Sequence, residues 1–431
     1  MAGFDPFEPA PTLAVAVSGG PDSMALTLLL DDWVRQRGGY LRAFTVDHGL
    51  RPEAAAEAVW VGEQLASRGI AHEVLTWRPT DGGKTTQADA REGRFAALQA
   101  ACRRYGILHL VLAHHRADQA ETCLLRVAAA SGVDGLAAMS AERRLATLRL
   151  LRPLLDIPKA RLQATLVARG QSWLADPSNA DTRYRRVRLR CLMPELNHAG
   201  LSEAALAAAA RTTGRLRAVM DGFRNALAAE AVTIWPVGYA VVQAPVMLRA
   251  APELAMDVLG RVLRTIGGAA HPPRRARLER LVAALRAAPV KARTLGGCRI
   301  VPRRGVWLVV REPGRMPLLH PLNSAMDSLY DNRYRITVAV GVPSDVTVGP
   351  LGVAGWATLT QVQPGLRAHA LPPPVRPALL AVRDDAGIRE VPHLPWRRAD
   401  SGPTLRCHAF APLFSLGDAG FTVAQNPRHI I

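Results

Sequence analysis

Ala14-Val15-Ala16-Val17 runs directly into Ser18-Gly19-Gly20-Pro21-Asp22-Ser23. The first four residues have the small, apolar character of a strand buried in a parallel sheet, and apolar residues at helical spacing follow from Asp22. A strand, a Gly-rich turn and a helix in that order let backbone N–H groups approach phosphate oxygens, with the positive end of the helix dipole behind them. Two adjacent glycines permit that approach. Ser18 and Ser23 can donate hydroxyl hydrogen bonds to phosphate, and Asp22 is placed either to hold Mg²⁺ or to cap the helix. The string has neither the G-K-[ST] of a Walker loop nor a G-x-G-x-x-G, which disfavours a kinase-type NTPase and a dehydrogenase.

Outward from the loop, short apolar runs alternate with amphipathic ones. Thr12 to Val17, Leu41 to Asp47, His72 to Trp77 and Leu108 to Ala113 read as strands. Asp22 to Arg37, Pro52 to Arg68, Gln87 to Tyr105 and Asp118 to Ala130 read as helices between and after them. The β-α-β-α series predicts an α/β fold, a doubly wound and mostly parallel sheet over residues 1–200, with ligands at the carboxyl ends of its strands. An Ala-rich helix over 201–232 would link that sheet to the C-terminal half of the chain. A small α+β domain over 233–315 would hold a strand near Tyr239, helices near Leu254 to Ile266 and Arg275 to Ala287, and a hairpin of Arg293 to Ile300 with Val306 to Val310. A β-rich domain of short strands without a long helix is expected over 323–431.

The 431 residues carry 54 Lys+Arg against 36 Asp+Glu, a formal charge of +18, which favours a polyanionic partner. A genome-wide arginine bias would give the same total, but Arg183, Arg185, Arg186, Arg188 and Arg190 are clustered. The five cysteines are scattered and none is spaced as C-x-x-C, which suggests neither a disulfide framework nor a metal cluster and fits a reducing cytoplasm. The start of the chain lacks the basic and apolar regions of a secretory signal, and no apolar run reaches the ~18 residues needed to span a bilayer. No membrane partner is expected.

The Ser18 to Ser23 string resembles the signature of the N-type ATP pyrophosphatases, which adenylate an oxygen of an acceptor and release pyrophosphate. Further segments resemble the tRNA(Ile)-lysidine synthetases within that group. These are Val46-Asp47-His48-Gly49-Leu50-Arg51, Ala90-Arg91-Glu92-Gly93-Arg94-Phe95 and Ala113-His114-His115-Arg116-Ala117-Asp118-Gln119-Ala120-Glu121-Thr122. Ser131 to Leu136, Arg152-Pro153-Leu154-Leu155 and Asp176-Pro177-Ser178-Asn179 continue the series to about residue 197. Three departures stand out: Ala117 replaces the first of two acids, Ala129-Ala130 stands for Arg-Gly, and Val187 stands for Asn. The likeness in the C-terminal half is thinner, at Leu295 to Ile300 and Tyr330-Asp331-Asn332-Arg333-Tyr334.

The resemblance implies ATP as co-substrate with Mg²⁺, and adenylation of the wobble cytidine of tRNA(Ile) with a CAU anticodon. L-lysine would then displace AMP to give lysidine. On that reading Ser18, Gly19, Gly20, Pro21, Asp22 and Ser23 cradle ATP, Asp22 also being the metal ligand, and Asp47 and His48 either line the nucleotide pocket or belong to a solvated loop. Asp118 is the carboxylate assigned to the lysine amine. His114 and His115 contact phosphate or the activated carbonyl, or serve helix entry. Glu121, on the same helix face as Asp118, binds metal or lysine or supports the helix cap. Arg186, Arg188 and Arg190 grip tRNA, or the α-phosphate, or form a solvated face. A tRNA thiolase of the same group and a non-catalytic basic RNA-binding protein are the alternatives, and a homodimer is left open.

Overall fold

The computed structural model describes the chain except residues 2, 5, 48–52, 79–86, 146, 176–182, 184, 288–290, 323–327, 340, 343–344, 395, 400, 418–419 and 425–431. Two compact units divide it, one of residues 1–220 with 419–431 and one of 221–418.

The described residues of the first unit form a six-stranded sheet in the order β3-β2-β1-β4-β6-β5. The strands are β1 Thr12–Ala16, β2 Tyr40–Asp47, β3 Ala71–Thr76, β4 His109–Val111, β5 Glu142–Arg144 and β6 Arg149–Leu151. All run parallel except β5, which pairs antiparallel with β6. Between them lie α1 Pro21–Arg35, α2 Glu53–Ala66, α3 Gln87–Arg104, α4 Arg116–Val127 and the single turn α5 Val133–Leu136. Beyond β6 come α6 Lys159–Ala168, α7 Arg185–His198 and α8 Glu203–Ala231, the last crossing the division between units. This is the expected doubly wound α/β architecture, and alternation along β1 explains its two covered faces. Leu13 and Val15 pack with Met24 and Leu28 of α1, Val61 and Leu65 of α2 and Leu162 and Leu166 of α6. Ala14 turns to the other face, among Phe44, Leu110 and Leu98, Ala101 and Cys102 of α3. The chain moves from β1 outward to β3, then returns to the opposite side of β1 with β4. The crevice between the carboxyl ends of β1 and β4 is therefore the topological switch point.

In the second unit, β7 Val232–Trp235, β8 Tyr239–Gln243, β9 Arg293–Leu295, β10 Cys298–Arg303 and β11 Val306–Arg311 make an antiparallel sheet ordered β7-β8-β11-β10-β9. The expected hairpin from Arg293 is a three-stranded meander, because Gly296 and Gly297 have φ of 60° and 71° and turn the chain between β9 and β10. α9 Ala244–Arg249, α10 Pro252–Gly267 and α11 Arg275–Arg286 supply its helical layer, where Val258, Leu259, Val262, Leu263 and Ile266 give α10 a continuous apolar face. Short antiparallel strands come next, in a five-stranded and a three-stranded sheet. An eleven-residue helix, Gly352–Val362, lies among them, in a region read as short strands without a long helix. Its weak amphipathic pattern, Gly352 and Gly355 included, gave no helical signal. A buried ion cluster ties this part together: Arg311 and Arg333 both donate to Asp331, whose φ of 52° places it in the turn from Tyr330 to Tyr334.

Candidate active site

The loop after β1 is braced from within. Ser23 Oγ accepts from the Ser18 N–H at 3.2 Å and donates to the Gly20 carbonyl at 3.0 Å, so one hydroxyl holds both sides of the turn. Gly19 has φ +79°, and a Cβ there would stand 2.7 Å from Leu174 Cδ1, so backbone conformation and space both require glycine. Gly20 precedes Pro21 as the cap of α1 and contributes no side-chain hydrogen bond. The first turn of α1 thus has the backbone geometry of an anion-binding helix start. Above it opens a cavity of about 300 Å³. Ala16 to Ser18, Gly20, Asp22 and Ser23 line one side, Phe44, Thr45 and Val46 of β2 another, and Leu112, Ala113 and His114 after β4 a third. Apolar walls with a polar, Gly-rich floor suit a nucleoside joined to phosphates.

The start of α4 meets this loop. His115 caps α4: its Nδ1 accepts from the Ala117 N–H at 3.2 Å, while Asp118 Oδ2 accepts from the His115 N–H at 3.0 Å. With Nδ1 an acceptor, the neutral ring carries its proton on Nε2, which lies 3.5 Å from Asp22 Oδ2 and 3.7 Å from Asp118 Oδ2. Burial lowers the His115 pKa, but the hydrogen bond to Asp22 and the charges of Asp118 and Asp22 outweigh it and leave the value raised. Lys159 Nζ, at the start of α6, is 4.0 Å from the same Asp22 oxygen. The other oxygen, Asp22 Oδ1, is buried and has no hydrogen-bond partner among the described residues. A single carboxylate with a spare oxygen at the phosphate floor fits Mg²⁺, which takes one or two protein carboxylates and completes its shell with phosphate and water.

His114 lies deeper. Burial, reinforced by the charge of Arg152 and, more weakly, of Arg91 and Arg186, pushes its pKa down to about 3 despite Asp118. Its imidazole is neutral throughout the physiological range. Glu121 is almost fully buried on α4 and pairs with Arg190 of α7, whose Nε donates to Oε1 at 2.5 Å. Arg190 Nη2 also stands 3.7 Å from Asp118 Oδ1. Arg186 Nη2 reaches Thr122 Oγ1 at 3.5 Å, whereas Arg188 is exposed and donates to the Arg183 carbonyl at 3.0 Å. Val187, one of the departures noted in the sequence, is the residue that anchors α7 by burial.

Ser18 to Ser23, His114, His115, Asp118, Glu121 and Arg190 are therefore gathered around one crevice. Asp47 ends β2 one residue beyond the cavity wall, its Oδ2 3.5 Å from Arg78 Nη2. His48, Asp176 to Asn179 and Tyr184 lie outside the described residues. The sequence reading did not single out Lys159 or Glu57, and it quoted Arg94 within the Ala90 to Phe95 motif without a role in the site; Glu57 and Arg94 line the cavity from α2 and α3. Lys159 has no motif around it. Arg94 lies one helical turn after Arg91, a spacing that could have marked a basic face of α3.

A doubly wound sheet with this Gly-rich phosphate loop at its switch point defines an ATP-using PP-loop enzyme, and residues 4–196 match the model of the PP-loop domain. The chain is 42% identical over 290 residues to the tRNA(Ile)-lysidine synthase of Rhodopseudomonas palustris, covering 65% of this chain and 82% of that relative. It is 36% identical over 349 residues to that of Ruegeria pomeroyi, covering 81% of each, and 39% identical over 321 residues to that of Methylobacterium nodulans, covering 70% and 91%. The chain belongs to the tRNA(Ile)-lysidine synthase family of ATP-dependent, tRNA-modifying ligases.

Proposed function

We propose that the protein adenylates the 2-carbonyl oxygen of the wobble cytidine in tRNA(Ile) with a CAU anticodon, then joins free L-lysine through its ε-amine to form lysidine. The observation that carries this reading is the convergence of Asp22, His114, His115 and Asp118 on one crevice at the switch point. In the first step the carbonyl oxygen bonds to the α-phosphorus of ATP and pyrophosphate leaves. In the second, the lysine nitrogen bonds to C2, the oxygen departs with AMP, and the amine gives up its protons. An oxygen esterified to AMP leaves far more readily than one on an unactivated ring carbonyl.

Asp22 would hold Mg²⁺, which neutralises the departing pyrophosphate. The first turn of α1 binds phosphate, and Ser18 and Ser23 keep that turn in shape. His114, being neutral, donates or accepts a hydrogen bond at the reacting base without adding charge. Lysine arrives as an ammonium of ordinary pKa about 10.4, so a carboxylate that orients it and takes a proton lowers the barrier. Asp118 is assigned that task. Glu121, paired with Arg190, holds α7 against α4, and Arg186 and Arg188 would contact the tRNA backbone. The reading places the adenylating domain at 1–200, the linking helix at 201–232 and the smaller domain at 233–315. Residues 323–431 would offer further tRNA-binding surface, and the cytoplasm is where enzyme and tRNA meet. Sulfur transfer is disfavoured because none of the five cysteines is spaced as C-x-x-C.

Incubation with ATP, labelled lysine and a tRNA(Ile) transcript tests the reading. Label should enter RNA only with ATP present and only when the anticodon is CAU. Incorporation without ATP, or equal incorporation into a transcript with another anticodon, overturns it.

A further inference from the structure

The last described residues return to the first unit. Phe421 is buried there, its ring against Gly214 of α8 and beneath the Arg217 guanidinium, which stands 4.7 Å from the ring centroid. The Thr422 N–H donates to Ser140 Oγ at 3.0 Å, and the Ala141 N–H donates to the Thr422 carbonyl at 2.9 Å. Ala424 packs on the core beneath β1 and α1. Phe421, Val423 and Ala424 also close one side of a small internal gap whose other wall includes Gln119, Met139, Asp156 and Arg211, the last two ion-paired.

Two short paths lead from this segment to the reacting groups. Gln119, the residue after Asp118, is buried and exchanges two hydrogen bonds with the Met139 backbone, at 3.0 and 2.9 Å. Met139 adjoins Ser140, to which Thr422 is bound. The Ser140 carbonyl in turn accepts from Arg152 Nη1 at 2.7 Å, and Arg152 is the charge that holds His114 neutral alongside burial.

We infer that residues 420–424 form an intramolecular strap that completes the adenylating unit, with Phe421 and Thr422 acting as positioning residues for Asp118 and Arg152. The inference rests on the proposed function in taking the PP-loop unit as the site of adenylation and Asp118 as a reacting group. The cavity walls come from β1, β2, β4, α2 and α3, so loss of the strap leaves ATP binding largely intact while the reacting groups lose their alignment.

Two variants and a peptide test the strap, read by lysidine formation alongside tRNA-dependent pyrophosphate release, after the full chain has been shown to carry out both; a full chain that does neither counts against the proposed function and not the strap. Truncation after residue 419 is expected to lower kcat at least tenfold with KM for ATP within about threefold. A synthetic peptide of residues 417–431, added in trans at hundreds of micromolar to replace the lost effective concentration, should restore much of the rate. Gly214→Ala tests the same contact in the full chain. Alanine favours the helix, yet its Cβ would stand 2.7 Å from Phe421 Cε1, so it displaces the ring without threatening the fold of α8. It should lower kcat in the full chain and add nothing in the truncated one. Full kcat in a truncated protein, a loss that the peptide does not reverse, or an equal effect of Gly214→Ala in both backgrounds overturns the inference.

Discussion

His115 Nε2 lies 3.5 Å from Asp22 Oδ2, so the cap of one helix is joined to the first turn of another across the adjacent strands β1 and β4. The contact draws the phosphate loop and the start of α4 to one point. It also leaves Asp22 Oδ1 buried and unpartnered among the described residues.

Asp22→Asn retains the shape and an acceptor for His115 but loses the negative charge that suits Mg²⁺. Magnesium-dependent pyrophosphate release should fall by roughly 10²-fold or more, with the melting temperature nearly unchanged. A variant releasing pyrophosphate at the wild-type rate would remove Asp22 from the metal site.

Asp118→Asn preserves the cap, because an amide oxygen can still accept from the His115 N–H. ATP should bind normally while lysidine formation drops by roughly 10²–10⁴-fold. Single-turnover assays that follow adenylated tRNA and lysidine separately would show the intermediate accumulating. Should ATP affinity fall and the lysine step survive, Asp118 belongs to nucleotide binding.

Arg190 and Arg188 share α7 but have different partners. Arg190→Met strands the buried Glu121 carboxylate and should cost about 2–3 kcal/mol of stability, a figure reduced because Arg190 is itself 39% exposed. Arg188→Met should stay within about 0.5 kcal/mol and instead flatten the salt dependence of tRNA binding. Denaturant unfolding and binding titrations in rising salt distinguish the two, and equal destabilisation would contradict the assignment.

Ala130 occupies φ 48°, a left-handed conformation that a Cβ disfavours. Relief of that strain by Ala130→Gly should stabilise the first unit by about 0.5–1 kcal/mol. An unchanged or lowered melting temperature would show that the turn accommodates alanine without strain.

Asp384 in the second unit accepts hydrogen bonds from Arg398 and Arg389, which hold its pKa down to about 2 against an ordinary 3.8. The folded state therefore binds fewer protons here than the unfolded state. The resulting stability is present above about pH 4 and is lost as pH falls towards 2. Thermal melts of wild type and Asp384→Asn should converge over that window, and a constant gap down to pH 2 would refute the linkage.

Much of the first unit was legible because its signals are local. The four leading strands and the helices after them end within a few residues of where apolar spacing places them. The meander at Gly296-Gly297 was misread because the strand before the turn, Arg293–Leu295, is only three residues long, too short for periodicity to separate it from the strand that follows. The site was legible in part. Asp118 and His115 could be placed at a helix start, but their reciprocal cap was one of several readings that the same residues allow.

By itself the sequence determined the order of strand, glycine loop and helix, since side-chain period and turn conformation act over a few neighbouring residues. It also determined which residue types stand at strand ends, and with them the chemistry available there. Tertiary structure alone decided the pairings of Asp22 with His115 and Lys159, of Glu121 with Arg190, and of Thr422 with Ser140. Each joins segments far apart in the chain, and the strand order and helix packing that bring them within hydrogen-bond or ion-pair reach arise only when the whole sheet closes over its core.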